Sequence, residues 1–230
     1  MIETGIPELD EQLGGGIKKG SNIMLIGPPM SRKEVILNHI MYYGVAKNEN
    51  AVITVNTYET GKSVLERFRE NKLILPLSRI GIVDCITRMI GGEADDDDNI
   101  KIANHPVDLT GIGVRISQFL EEYSMRTKVR KIQLCVNSLS TLLLYSNIKT
   151  VYKFLHVFTR RIKAAGGLGI YVIESGIHDM QAIATLNQLF DGVIEVKSEN
   201  DKNFIRVIGL SPKPTRWLEY EIDGANVTIT

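Results

Sequence analysis

The chain has 230 residues, of which 43% are hydrophobic and 23% charged, and its 27 Lys and Arg balance 27 Asp and Glu. That is enough apolar material for one sizeable core, so a single domain over 1–230 is expected, and a net charge of zero sets up no global field toward nucleic acid or an anionic membrane. Cys85 and Cys135 lie in apolar runs without metal-ligand spacing, as expected of free core thiols in a reducing cytoplasm. No apolar stretch reaches the length of a membrane span, and Met1-Ile2-Glu3 lacks signal-peptide character, so a cytoplasmic protein is expected.

In chain order, Thr4-Gly5-Ile6-Pro7-Glu8-Leu9-Asp10 and Leu13-Gly14-Gly15-Gly16-Ile17 precede Gly20-Ser21-Asn22 and an apolar run from Ile23. That run ends in Gly27-Pro28-Pro29-Met30-Ser31-Arg32-Lys33-Glu34 and reads as strand, tight loop and helix start. The spacing is that of a phosphate loop, G-x-x-x-x-G-K-[ST], in which backbone N–H groups cradle phosphates, the lysine reaches the terminal ones and the hydroxyl holds Mg²⁺. Gly27 and Lys33 stand in register, whereas Arg32 occupies the second glycine position and Glu34 the hydroxyl position. The remnant nucleotide site is therefore Gly27, Pro28, Pro29, Met30, Ser31, Arg32, Lys33 and Glu34.

A helix is expected over 33–46, a strand over 51–57 followed by Tyr58-Glu59-Thr60-Gly61, a short helix through Arg69, and a strand over 80–86. The run Asp95, Asp96, Asp97, Asp98 reads as a solvated, mobile loop; it lacks the glycine and ligand spacing of a calcium loop, so no metal is assigned. A capped helix follows Pro106–Gly111, with Ile112, Ile116, Phe119, Leu120 and Tyr123 on one face, then a basic turn over 126–131 and a strand over 132–136 that runs into Asn137-Ser138. The helix over 148–165 shows Lys153, Arg160, Arg161 and Lys163 outside, a weak nucleic-acid signal because no aromatic residues interleave on that face. A strand over 169–175 leads to His178, just past a strand's carboxyl end where open α/β sheets place ligands. His39 and His156 read as structural residues within helices. From Gly192 the pattern alternates like a strand meander, with Leu210–Trp217 as a hairpin turn carrying Lys213 and Arg216.

The opening, the Gly27–Lys33 loop, Asp108-Leu109-Thr110-Gly111-Ile112-Gly113, the stretch 138–146 and His178-Asp179 together resemble the KaiC/RadA branch of the RecA-like ATPases, and in particular a group of archaeal KaiC-like proteins. The resemblance implies a three-layer RecA-like P-loop NTPase core, its mostly parallel sheet extended by C-terminal antiparallel strands. It also implies ATP and Mg²⁺ as ligands in intact relatives, a Walker B aspartate where this chain has Asn137, and a water-activating glutamate where it has Tyr58, Glu59 matching the second glutamate of that pair. Relatives build rings in which basic residues of the C-terminal strands cross to the neighbour's ATP. Lys213 and Arg216 loosely match these, with Trp217 packing on its own sheet as the plainer alternative.

Glu34, Asn137 and Tyr58 fall on the same chemistry, leaving little for metal-assisted hydrolysis. Arg32 or Lys33 pairing with Glu34 or Glu59 would make a self-filled site. The expected function is a non-hydrolysing regulatory or assembly module, a homo-oligomer or the partner of another protein. The alternatives are an ATP-binding switch or slow ATPase with Glu59 as base, and, disfavoured by the neutral charge, a recombinase-like nucleic-acid binder.

Overall fold

The computed structural model describes residues 1–230 apart from 94, 126–128 and 130. The expected basic turn at 126–131 therefore lies mostly outside the described residues.

The elements are α1 (Pro7–Gln12), β1 (Ser21–Gly27), α2 (Lys33–Ala46), β2 (Ala51–Asn56), α3 (Gly61–Glu70), β3 (Ile80–Asp84), β4 (Ile100–Ile102), α4 (Leu109–Ser124), β5 (Ile132–Asn137), α5 (Leu139–Tyr145), α6 (Ile148–Ala164), β6 (Leu168–Glu174), α7 (Met180–Asn187), β7 (Gly192–Glu199), β8 (Lys202–Ile208), β9 (Leu218–Asp223) and β10 (Asn226–Ile229). They build one ten-stranded sheet in the order β10-β9-β8-β7-β1-β6-β5-β2-β3-β4. From β7 to β4 every pairing is parallel, and β8, β9 and β10 continue the sheet antiparallel.

The central strands are covered on both faces, which is why β2 and β5 are buried at every position and read as continuous apolar runs. One face packs α2, α3 and the N-terminal segment through Ile36, Ile40, Val64, Phe68, Ile6 and Leu9. The other packs α4 to α7 through Ile112, Phe119, Leu139, Leu155 and Leu186. Helix starts carry the side chains their exposed N–H groups need: Thr60, Asp108, Asn147 and Asp179 accept from Ser63, Gly111, Thr150 and Ala182 respectively. Buried Asp10 does similar work for the opening segment, accepting from Thr4 N, Thr4 Oγ1 and Gly5 N.

Two local features differ from the sequence expectation, and one stretch left unassigned takes a definite form. The acidic stretch leads into β4, and two of its carboxylates are engaged: Asp96 accepts from Ile102 N and pairs with Arg115 at 3.0 Å, while Asp97 accepts from Asn99 N and Ile100 N. On α6, Tyr152 and His156 stack with ring centres 6.1 Å apart, and Arg160 Nε donates to His156 Nε2, so aromatic rings do lie beside this basic face. The apolar stretch after Ser138 is helical, because Ser138 caps it by accepting from Thr141 N.

Gly81 in β3 lies flat under Phe119, and a β-carbon there would stand 2.7 Å from the ring. Gly81→Ala is expected to lower unfolding stability in urea by roughly 1–3 kcal/mol, as overpacking does. Part of that loss should return in Gly81→Ala/Phe119→Leu; additive losses in the double variant would show that the contact is not the cause.

Candidate functional site

The parallel strands end on one crest, and their register decides which side chains meet there. Gly27 of β1 lies beside Glu174 of β6, and Asn56 of β2 lies between Asn137 of β5 and Asp84 of β3. The loop after β1 passes close over the crest, since a β-carbon on Gly27 would stand 2.8 Å from Ser31 Oγ and 3.1 Å from the Val196 carbonyl oxygen. Met30 and Arg32 both take left-handed backbone, with φ of 62° and 57°. For a side-chain-bearing residue this costs on the order of 1–2 kcal/mol, so the loop keeps its shape without the glycine usual at the second position.

Lys33 opens α2 and is fully buried. Its ammonium stands 2.6 Å from Glu174 Oε2, donates to the Pro28 carbonyl at 3.2 Å and lies 3.4 Å from Glu34 Oε1. A buried ammonium without such partners would be strongly disfavoured. Glu174 is itself fixed, its backbone N–H donating to Ser140 Oγ at 2.8 Å. Of the pairings expected from the sequence, Lys33 with Glu34 is present, and the nearer partner of Lys33 is one not expected, Glu174, on a strand 141 residues away. Lys33–Glu34 is the secondary contact. Glu59 is not part of it: its carboxylate binds Arg67 on α3 at 2.5 Å.

Beside this pair the ends of β5 and β2 carry neutral side chains, Asn137 and Asn56, with the Asp84 carboxylate beyond them on β3. Asn137 Nδ2 donates to Tyr58 Oη at 2.5 Å, so the two residues at the expected metal and base positions bind each other. Burial pushes the Tyr58 hydroxyl up to about 12, helped by the Glu59 charge, so it stays protonated at neutral pH. Asn137 Oδ1, Asn56 Nδ2 and Ser31 Oγ are buried with no hydrogen-bond partner. Tyr220 of β9, whose hydroxyl is also buried and raised to about 12 by burial first, lies within the electrostatic reach of Arg32 and Glu34.

The remaining sequence candidates fall apart from this cluster. His178 follows β6 and borders a cleft of about 440 Å³ between the α5–α6 turn and α7. Burial holds its imidazole below the ordinary value, against the opposing charges of Asp179 and Glu174, so the fold favours the neutral ring and loses that contribution as pH falls through the lowered value. Lys213 and Arg216 are exposed in the β8–β9 connection. Trp217 packs on its own sheet, with the Arg206 guanidinium 4.4 Å and Lys197 Nζ 5.0 Å from its ring centre. Sequence reading missed Glu174, Asn56 and Tyr220. Only Glu174 carried a signal, as a carboxylate ending a strand that had to lie near β1.

A profile described as a family of unknown function, DUF7504, matches residues 20–196, from the start of β1 into β7. The chain belongs to this family. Among curated proteins, this DUF7504 chain is 37% identical over 81 residues to the DNA repair protein RadA of Haemophilus influenzae, and 29% identical over 97 residues to a UPF0273 protein of Methanocaldococcus jannaschii. The aligned segments span 16% and 40% of those relatives' lengths. Among solved structures, a KaiC-like protein from the hyperthermophilic archaeon Pyrococcus horikoshii superposes with a TM-score of 0.72 at 15% identity, over 100% of this chain and 98% of that one. The fold is that of the KaiC/RadA branch of the RecA-like ATPases. Among the described residues of this DUF7504 member, no helix is long and apolar enough to cross a membrane.

A double-mutant cycle on the buried pair tests its contribution. Glu174→Met alone should lower unfolding stability by about 2–4 kcal/mol, since it leaves an ammonium buried with only the more distant Glu34. Lys33→Met/Glu174→Met should recover most of that loss. A double variant as unstable as the sum of its singles would mean that the pair is not coupled.

Proposed function

We propose that this DUF7504 chain is a non-hydrolysing RecA/KaiC-like module whose phosphate site is filled from within, and that it works by assembly or partner binding. The observation that carries the reading is the buried Lys33 ammonium held 2.6 Å from Glu174. A triphosphate would have to displace Glu174 and would then face the Glu34 carboxylate. At about 4 Å and an effective dielectric near 20, such a contact is unfavourable by roughly 4 kcal/mol. Asn137 brings an amide bonded to Tyr58 where a metal-ordering carboxylate is needed, and Glu59 is held by Arg67. These residues do not fit Mg²⁺·ATP, and phosphoryl transfer depends on such positioned charges.

A second reading, a nucleotide-binding switch, is favoured by one observation: the side chains of Glu174 and Glu34 remain 21% and 34% exposed, so a competing anion has access to the pair. In the leading reading, assembly joins copies of this chain or a protein partner through surfaces that include the exposed Lys213 and Arg216.

Purified protein should release phosphate from ATP no faster than its Lys33→Ala variant, whereas Glu174→Gln/Glu34→Thr should bind a labelled ATP analogue more tightly than wild type. Turnover abolished by Lys33→Ala would refute the non-hydrolysing reading. Wild-type binding as tight as that of the variant would favour the switch.

Light scattering over micromolar concentrations should show an oligomer that Arg216→Glu weakens and added salt loosens. A monomer throughout would remove self-assembly.

A further inference from the structure

The segments preceding the parallel strands carry charges of both signs: Lys18 and Lys19 before β1, Lys47 and Glu49 before β2, Asp95 to Asp98 before β4, Lys131 before β5, Lys163 before β6 and Asp191 before β7. Lys163 is paired with Asp191 at 2.8 Å. Lys19, Lys47 and Lys131 fall at this same edge, opposite the Lys33 site.

At that edge a cleft of about 350 Å³ is lined by Lys19, Lys47, Lys131, Glu3, Asn48 and Asn50, with Met1, Ile2 and Gly15 completing the wall. Its construction follows from the fold. β2 and β5 are neighbours, and Ala51 N donates to the Lys131 carbonyl at 2.9 Å, which sets the starts of these strands side by side. An antiparallel bridge between Ile2 and Ile17 brings Glu3 and the segment before Lys19 to the same rim. Among the described residues, none of Lys19, Lys47 and Lys131 has an ion-pair partner. Among the described lining residues the carboxylate is that of Glu3, which accepts from Tyr43 Oη at 3.0 Å. Lys47 alone would be accounted for as the cap of α2, where a cation complements the helix carbonyls. That effect does not reach Lys19 or Lys131, which precede β1 and β5.

We propose that this cleft is a binding site for a phosphate-bearing anion of two or more charges. Lysine ammonium groups are point-charge phosphate binders, three lysines line the cleft, and the volume lies at the lower end of the roughly 300–1,000 Å³ common for small-ligand sites. The phosphate source is either a small phosphorylated molecule or a nucleic-acid backbone. The site is independent of the proposed state of the Lys33 loop, because no lining residue is shared.

Calorimetric titration of the intact protein with tripolyphosphate, and separately with a short single-stranded oligonucleotide, tests the site. We expect at least one probe to bind, with affinity falling as salt is raised and dropping roughly tenfold or more in Lys19→Gln/Lys47→Gln/Lys131→Gln. A control with the same loss of charge, Lys62→Gln/Lys72→Gln/Lys153→Gln, should bind like wild type. These lysines are solvent-facing, and matching thermal unfolding of the variants separates lost binding from lost folding. Tripolyphosphate binding alone assigns a small phosphorylated ligand, and oligonucleotide binding alone assigns a polymer backbone. Binding of neither probe, or equal losses in both triple variants, would overturn the proposal.

Discussion

The ion pair between Lys33 and Glu174 is the constraint around which the crest of the sheet is arranged. An ammonium excluded from water needs a carboxylate at contact distance, and only β6, paired in parallel beside β1, sets one next to Gly27. The pair fixes the first turn of α2 against the end of β6. It also gives the loop from Pro28 to Arg32 an anchor at each end, since the Pro28 carbonyl accepts from the same ammonium. The left-handed Met30 and Arg32 are affordable in that setting: the loop's two ends are tied independently of its own torsions.

Positions 137 and 58 are neutral for a related reason. With Glu174 and Glu34 already close to Lys33, a further carboxylate at position 137 would add repulsion to a crest holding no second buried cation among the described residues. An asparagine bonded to Tyr58 avoids that and keeps the end of β5 tied to the end of β2. The result is a RecA-like frame whose ligand-side edge is satisfied mostly by its own side chains. Asn56, Asn137 and Ser31 retain buried polar atoms without partners there.

Charge placement links this edge to the opposite one. All the parallel strands run the same way, so every loop before a strand emerges at one edge and every loop after it at the other. The lysine-lined cleft lies at the starts of β2 and β5, and the Lys33–Glu174 pair at the ends of β1 and β6.

Much of this was legible in the sequence, and the reason is local. The helix over 33–46, the parallel core strands and the C-terminal meander are written in apolar period, capping residues and turn residues, all of which act over a few positions. The phosphate-loop remnant with Arg32, Lys33 and Glu34, and the unusual Asn137 and Tyr58, were likewise visible as residue types at motif positions. What escaped the sequence was pairing across distance. Glu174 rather than Glu59 became the partner of Lys33, because strand order places β6 beside β1 while Arg67, two turns along α3, captures Glu59. Asp96 and Asp97 became structural acceptors because β4 docks beside β3. The sequence by itself determined the fold family and which residues were chemically unusual. Only the tertiary structure decided which charges meet, since contact between charges depends on strand order and register, and those are set by packing of the whole sheet.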